Sequence, residues 1–255
     1  MAPLDLERAA AVAAHAADLA RRETLPRFRD VAVETKRDGS PVTEADRAAE
    51  RAIRAAIADA FPDHAILGEE YGGERDDARP TWVVDPIDGT IAYARGIPLF
   101  STLVALVVDG EPLVGLIDLP ALDERYVGWK GGGCRRNGAP VRVSQRSDLA
   151  SAIVSHGDPF CFDAAGMRPA FERMAARLRM LRGYTDAFGH ALVLGGGVDA
   201  MVDVDLNPWD VAATQVLVPE AGGVCHARTL PSGKLGLVLG SPALCDALLA
   251  LVDGD

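Results

Sequence analysis

The segment that most narrows the possible folds is Thr81-Trp82-Val83-Val84-Asp85, which runs straight into Pro86-Ile87-Asp88-Gly89-Thr90. Its apolar, β-rich half predicts a buried strand, and such a strand needs a covered sheet around it. The strand stops at two carboxylates three residues apart. Strand ends are where α/β and α+β proteins commonly build their sites. Pro86 stiffens the turn, and Gly89 allows close approach to the backbone. A helix opening at Thr90 would point the amides of Gly89 and Thr90 outward. The combination reads as a phosphate cradle beside a metal-binding carboxylate pair. Taken alone, the same residues equally suit an ordinary Asp-Gly and proline turn.

Around this segment the chain divides by pattern. Residues 5–22 predict a helix with Ala9, Val12, Ala16 and Leu19 on one stripe, and Lys36 to Pro41 a turn. Thr43 to Phe61 predicts a second helix with Ala49, Ile53, Ile57 and Ala60 on its apolar face. Leu103–Val108, Leu113–Leu119 and Arg125–Trp129 predict strands of an antiparallel sheet, the first two joined by Asp109-Gly110. Pro140 to Ser144 adds a further strand. From about residue 146 strands and helices alternate. Ser151–Ser155, Ala200–Asp203 and Leu237–Leu239 read as strands; Met167–Met180, Asp186–Leu194, Asp210–Glu220 and a final segment read as helices. The expected organisation is an α+β half over residues 1–145 carrying most candidate metal ligands. An α/β half over 146–255 follows, carrying Asp210 and the candidate specificity residues.

Composition excludes several classes. The 255 residues are 49% hydrophobic and 25% charged, which fits a globular protein rather than a disordered chain or a disulfide scaffold. Apolar runs are too short to span a bilayer, so no membrane partner is expected. The balance of 37 acidic against 26 basic residues gives a net charge of −11, which disfavours nonspecific nucleic-acid binding. An anionic ligand would therefore need a metal ion or a helix N-terminus beside it. Cys134, Cys161, Cys225 and Cys245 form no CxxC pair and read as reduced thiols. The start, MAPLDLERAA, lacks the basic end and apolar core of a signal peptide, so the expected location is the cytoplasm.

Three more acidic motifs stand out, each with a plain structural reading. Gly68-Glu69-Glu70 suits a solvated loop, Asp210 after Asn207-Pro208-Trp209 suits a helix N-cap, and Thr43 with Asp46 suits a capping box. Their order changes the picture. Lys36 with Thr43-x-x-Asp46, Gly68-Glu69-Glu70, Asp85 to Thr90, and Trp209-Asp210 followed by Glu220-Ala221-Gly222-Gly223 together resemble the inositol monophosphatase family, from about residue 5 to the C-terminus.

The resemblance implies a layered αβαβα sandwich, hydrolysis of phosphate monoesters, dependence on Mg²⁺, and homodimers. It implies that Glu69, Asp85 and the Ile87 carbonyl hold one Mg²⁺, that Asp85, Asp88 and Asp210 hold a second, and that Glu69 helps hold a weaker third. Gly89 and Thr90 become the phosphate-contacting pair, and Thr90 with Asp46 the dyad that orients the attacking water. The chemistry agrees: magnesium takes oxygen ligands, and no His or Cys companions at suitable spacing favour zinc.

Within the family, Arg182-Gly183-Tyr184-Thr185-Asp186-Ala187-Phe188-Gly189-His190 and Gly96 to Phe100 resemble the histidinol-phosphatase branch; inositol-type members usually carry Gly-Ser where this chain has Thr185-Asp186. Asp203, seven before Asp210, matches a position that contacts the alcohol of the substrate. Two carboxylates beside the leaving group would suit the cationic alcohol of histidinol phosphate better than a neutral polyol. Ala92 departs from the Asn or Ser usual after Asp-Gly-Thr. His190 follows the Asp186 segment and could face the pocket, but its first reading is a helix-surface histidine. The expected partner is a small phosphorylated metabolite. Inositol 1-phosphate or another sugar phosphate is the alternative substrate, and a noncatalytic binding protein is disfavoured because every expected acid is present.

Overall fold

The computed structural model describes residues 4–37, 39–73 and 78–254. Its first half contains α1 (Leu6–Thr24), a small hairpin of β1 (Val33–Thr35) and β2 (Pro41–Thr43), α2 (Glu44–Ala60), β3 (Ala65–Gly68), β4 (Thr81–Asp88) and α3 (Thr90–Ala94). β5 (Ser101–Val108), β6 (Glu111–Leu119), β7 (Glu124–Trp129), β8 (Gly133–Arg136) and β9 (Ala139–Pro140) follow. The second half contains β10 (Ile153–His156), α4 (Pro159–Ala164), α5 (Arg168–Arg177), β11 (Met180–Arg182), α6 (Asp186–Leu194), β12 (Ala200–Leu206), α7 (Pro208–Glu220), β13 (Val224–Thr229), β14 (Leu235–Gly240) and α8 (Pro242–Asp253).

Two mixed sheets form, in the orders β3-β4-β5-β6-β7-β8-β9 and β11-β10-β12-β14-β13. The alternation of side chains along β4 shows how the layers stack. Trp82 and Val84 join the alanine faces of α1 and α2 with Ile53 and Ile57. Val83, on the opposite face, joins Ala187, Ala191 and Leu194 of α6 and Val211 and Leu217 of α7. The same cluster takes in Met201, Leu237 and Leu239 of the second sheet, so both halves share a core. The far face of that sheet packs Val154, Val202 and Val238 against Phe162, Met174 and Leu248 of α4, α5 and α8. The result is the five-layer αβαβα sandwich.

Several local expectations hold for the stated reasons. Asp109 and Gly110 both take positive φ (48° and 81°), the geometry that a tight hairpin between β5 and β6 requires. α2 begins at a capping box made by Thr43 and Asp46, and α6 runs over Asp186–Leu194 as expected, with Gly195 as its C-cap. Other boundaries differ. β4 does not stop at Asp85 but continues to Asp88, and the predicted strand at Pro140 to Ser144 shrinks to Ala139–Pro140. Met180 belongs to β11, not to a helix. α7 starts at Pro208, with Asn207 as N-cap.

Candidate metal and active site

The site lies at the C-terminal end of β4. In register, Asp85 pairs with Leu103 but Asp88 pairs with Ser101, three residues along one strand against two along the other. An undistorted strand puts residues three apart on opposite faces. The bulge over Pro86 and Ile87 absorbs one residue, so both carboxylates emerge on the face that Val83 and Leu103 present to the middle helices. α6 and α7 begin there, and Asp210 sits in the first turn of α7. Oxygens of Asp85, Asp88 and Asp210 lie within 4.8 Å of one another.

Each acid is aimed by its own hydrogen bonds. Asp88 Oδ2 accepts from Ser101 Oγ and from the Ala187 amide, both at 2.8 Å, which ties this acid to the start of α6. Asp210 Oδ2 accepts from the Asn207 amide at 2.7 Å, closing a capping box in which Asp210 is the third residue and not the N-cap. Ser101 is a support that no motif revealed, and Asn207, already part of the Asp210 motif, takes the N-cap role first read for Asp210. Asp85 is 2% exposed, and its Oδ1 is buried without a hydrogen-bond partner. Burial pushes the carboxyls of Asp85, Asp88 and Asp210 upward, Asp210 to about 7, and their neighbouring acids add to the effect.

A partnerless buried carboxylate oxygen facing other carboxylates is costly unless a cation meets it. The donors here are all oxygens, which suits a hard divalent ion. The residues therefore fit a metal. Glu69 stands on the loop after β3. Lys36 Nζ reaches its Oε1 at 2.8 Å and Glu70 Oε1 at 2.7 Å. Glu50 of α2, fully buried and absent from the sequence reading, accepts from the Glu70 and Tyr71 amides at 2.7 and 3.2 Å and so anchors this loop.

The metal-free protein should consequently lose stability as pH rises. A carboxyl that titrates higher when folded than when unfolded binds its proton more tightly in the native state, so stability falls between the two values. For Asp210 that window runs from 3.8 to about 7, and Glu70, pushed to about 7 by burial, adds to it. Thermal melts in chelator should show a melting temperature several degrees higher at pH 5 than at pH 8, with saturating Mg²⁺ flattening the slope. A melting temperature that rises with pH in chelator would contradict the assignment.

Gly89 takes φ 83° and caps the single turn of α3. A Cβ there would be strained by that φ and would meet Leu99 O at 3.1 Å. Thr90 Oγ1 lies 3.0 Å from the Ile87 carbonyl and 3.2 Å from Asp46 Oδ1. Asp46 is fully buried and uses Oδ2 for the Thr43 amide at 2.8 Å, so one carboxylate serves the cap of α2 and the Thr90 hydroxyl.

Beyond the metal acids the cleft opens into two connected cavities of about 310 and 410 Å³. The inner one is bordered by Asp186, Asp203, Asp205, Asp158, His190 and Trp209. Ile91, Ala92, Ile97, Leu99 and Tyr184 line the outer one. Among the described residues lining either cavity, none is lysine or arginine. Asp158, the N-cap of α4, was not singled out by any motif. His190 departs from its expected surface position: it is 1% exposed, because α6 lies between two sheets and His190 falls on the side buried with Ala187, Ala191 and Leu194. The Glu220 end of the last motif is structural, its carboxylate accepting from the Gly131 and Gly133 amides at 2.8 and 2.7 Å.

Residues 5–244 match the model of the inositol monophosphatase family. A histidinol-phosphatase of Chlorobaculum parvum is 37% identical over 243 residues, covering 92% of this chain and 93% of that protein. A fructose-1,6-bisphosphatase/inositol-1-monophosphatase of Aquifex aeolicus is 33% identical, covering 94% of this chain and 92% of its own. The solved inositol monophosphatase from Zymomonas mobilis superposes with a TM-score of 0.86 at 33% identity, covering 98% of this chain and 99% of that one.

Proposed function

We propose that this chain, which belongs to the inositol monophosphatase family, is a phosphatase that hydrolyses histidinol phosphate. One observation carries the choice of substrate. Asp158, Asp186, Asp203 and Asp205 border the cleft beyond the metal acids, with no cationic side chain among its described lining residues. A second phosphate on the substrate would meet only repulsion there, which disfavours bisphosphates. A leaving group bearing an ammonium and an imidazole is instead attracted. Similarity to proteins named histidinol-phosphatase points the same way.

In this reading Asp85, Asp88 and Asp210 would hold one Mg²⁺, and Asp85, Glu69 and the Ile87 carbonyl another, with Glu69 contributing to a weaker third. Bound metal would supply charge neutralisation for the phosphoryl group and a lowered pKa for water. The chain's own groups do the rest. The amides of Gly89 and Thr90 donate to the phosphate. Thr90 Oγ1, with Asp46 as its acceptor, orients the attacking water, so no side chain needs to become a covalent nucleophile. Asp186 and Asp203 hold the alcohol while it departs.

A phosphate-release panel tests the assignment: histidinol phosphate, inositol 1-phosphate, fructose 1,6-bisphosphate and adenosine 3′,5′-bisphosphate, with Mg²⁺ and with chelator. Histidinol phosphate should give the highest kcat/KM, and chelator should abolish turnover. Asp186→Ser should lower kcat/KM for histidinol phosphate about ten- to a hundredfold, the effect of one charged contact, while sparing glycerol 2-phosphate. Equal losses on both esters would make Asp186 structural. A wild-type preference for inositol 1-phosphate would overturn the substrate assignment.

A further inference from the structure

We propose that His190 is the positioning residue of the leaving-group side of the cleft, fixing the Asp203 carboxylate as an acceptor for N–H and O–H groups of the departing alcohol. The inference rests on the reading of the cleft as a phosphatase site. Three elements meet at this point. Thr214 of α7 lies with Oγ1 2.9 Å from His190 Nδ1, and His190 Nε2 lies 3.3 Å from Asp203 Oδ2 on β12. The three residues are 0%, 1% and 3% exposed.

A hydroxyl and an imidazole placed among Ala187, Ala191 and Leu217 of the middle layer are costly to bury unless they are paired. Here each pairs with the next. With the proton on Nε2, the Thr214 hydroxyl donates to Nδ1 and the imidazole donates to Asp203, which gives every group a partner. The other Asp203 oxygen accepts from the Val204 amide at 2.9 Å. Gly157 closes the remaining side: a Cβ at that residue would lie 2.0 Å from Asp203 Oδ1.

Asp203 is therefore held by a backbone amide, an imidazole and a glycine, while it and His190 both border the inner cavity. A carboxylate fixed in this way presents its free lone pairs without losing side-chain freedom when substrate binds, which favours affinity for donors placed to meet them. Neither His190 nor Thr214 is among the metal acids, so their effect should track the alcohol and not the phosphate.

The test uses the Mg²⁺-loaded enzyme with three esters: histidinol phosphate, inositol 1-phosphate and p-nitrophenyl phosphate, whose leaving group has no N–H or O–H donor. His190→Leu should lower kcat/KM for histidinol phosphate about tenfold or more, mostly through KM, since a charge-assisted hydrogen bond is lost. p-Nitrophenyl phosphate should change by less than about threefold. His190→Gln, which keeps a side-chain N–H, should restore most of the loss. If His190→Leu does not fold, Thr214→Val should move the same ratio in the same direction by a smaller factor.

Equal losses on all three esters, or failure of glutamine to restore the ratio, would overturn the role of His190 and leave it a structural residue. A wild-type preference for inositol 1-phosphate would remove histidinol phosphate as the substrate. The positioning role would still stand if His190→Leu separated inositol 1-phosphate from p-nitrophenyl phosphate.

Discussion

Asp85→Asn should lower kcat by about a thousandfold or more while leaving the metal-free protein as stable as the wild type, or more stable. The two halves of this expectation have one cause. Asp85 is 2% exposed, carries a buried oxygen with no partner, and faces Asp88, Asp210 and the nearby Glu69. Without a cation this arrangement stores repulsion and lost solvation, and an amide removes one of the charges. With the cation, Asp85 is the one side chain assigned to both principal ions, so the substitution removes charge from two sites. A thousandfold loss corresponds to about 4 kcal/mol of transition-state stabilisation, within what metal charge compensation supplies. Thermal melts with and without Mg²⁺ separate the effects. Mg²⁺ should raise the wild-type melting temperature and barely move that of the variant. Near wild-type kcat would end the metal assignment, and a variant that melts several degrees lower in chelator would make Asp85 a structural acid.

How the acids came to one place was only half legible in the sequence. Asp85 and Asp88 suggest a carboxylate pair that suits a turn equally well, and Asp210 reads as a helix N-cap until the ordered motifs are taken together as a family resemblance. Their convergence is not legible there. Residues three apart in a strand diverge, and nothing in Pro86-Ile87 announces that a bulge will realign them. Ser101 and the Ala187 amide, which aim Asp88, lie 13 and 99 residues away in the chain. Such partners are set by sheet register and helix packing, which local patterns do not encode.

The fold shows the same division. α2 was legible because one face meets a sheet and the other meets water, so its apolar residues recur at helical spacing. β13 was missed because Val224 to Thr229 lies at a sheet edge with most of its side chains exposed, leaving no alternation to read. His190 was misplaced for the opposite reason. A helix with sheets on both sides is apolar all round, and a histidine within it looks like a surface residue only if a surface is assumed.

Thr90→Ala should lower kcat about a hundred- to a thousandfold, leaving KM within a few fold, because the hydroxyl is assigned to orienting water in the transition state and not to holding the ester. The geometry gives the hydroxyl a single proton to share between the Ile87 carbonyl at 3.0 Å and Asp46 Oδ1 at 3.2 Å. Whichever acceptor takes it, the oxygen is left with lone pairs for a water, and Thr90→Ser should therefore retain most of the rate. Asp46→Asn separates the dyad from the cap. The asparagine oxygen can still accept from the Thr43 amide, which preserves half of the capping box, while its NH₂ would replace Oδ1 and donate to Thr90. That reverses the hydrogen bond without removing it. Stability should fall by only about 1 kcal/mol, the scale of a helix cap, whereas kcat should fall about a hundredfold. Denaturant melts and steady-state kinetics on the same preparations decide the matter. A loss confined to KM, or a Thr90→Ala enzyme with wild-type kcat, would show that the Thr90–Asp46 contact serves the fold and not the water.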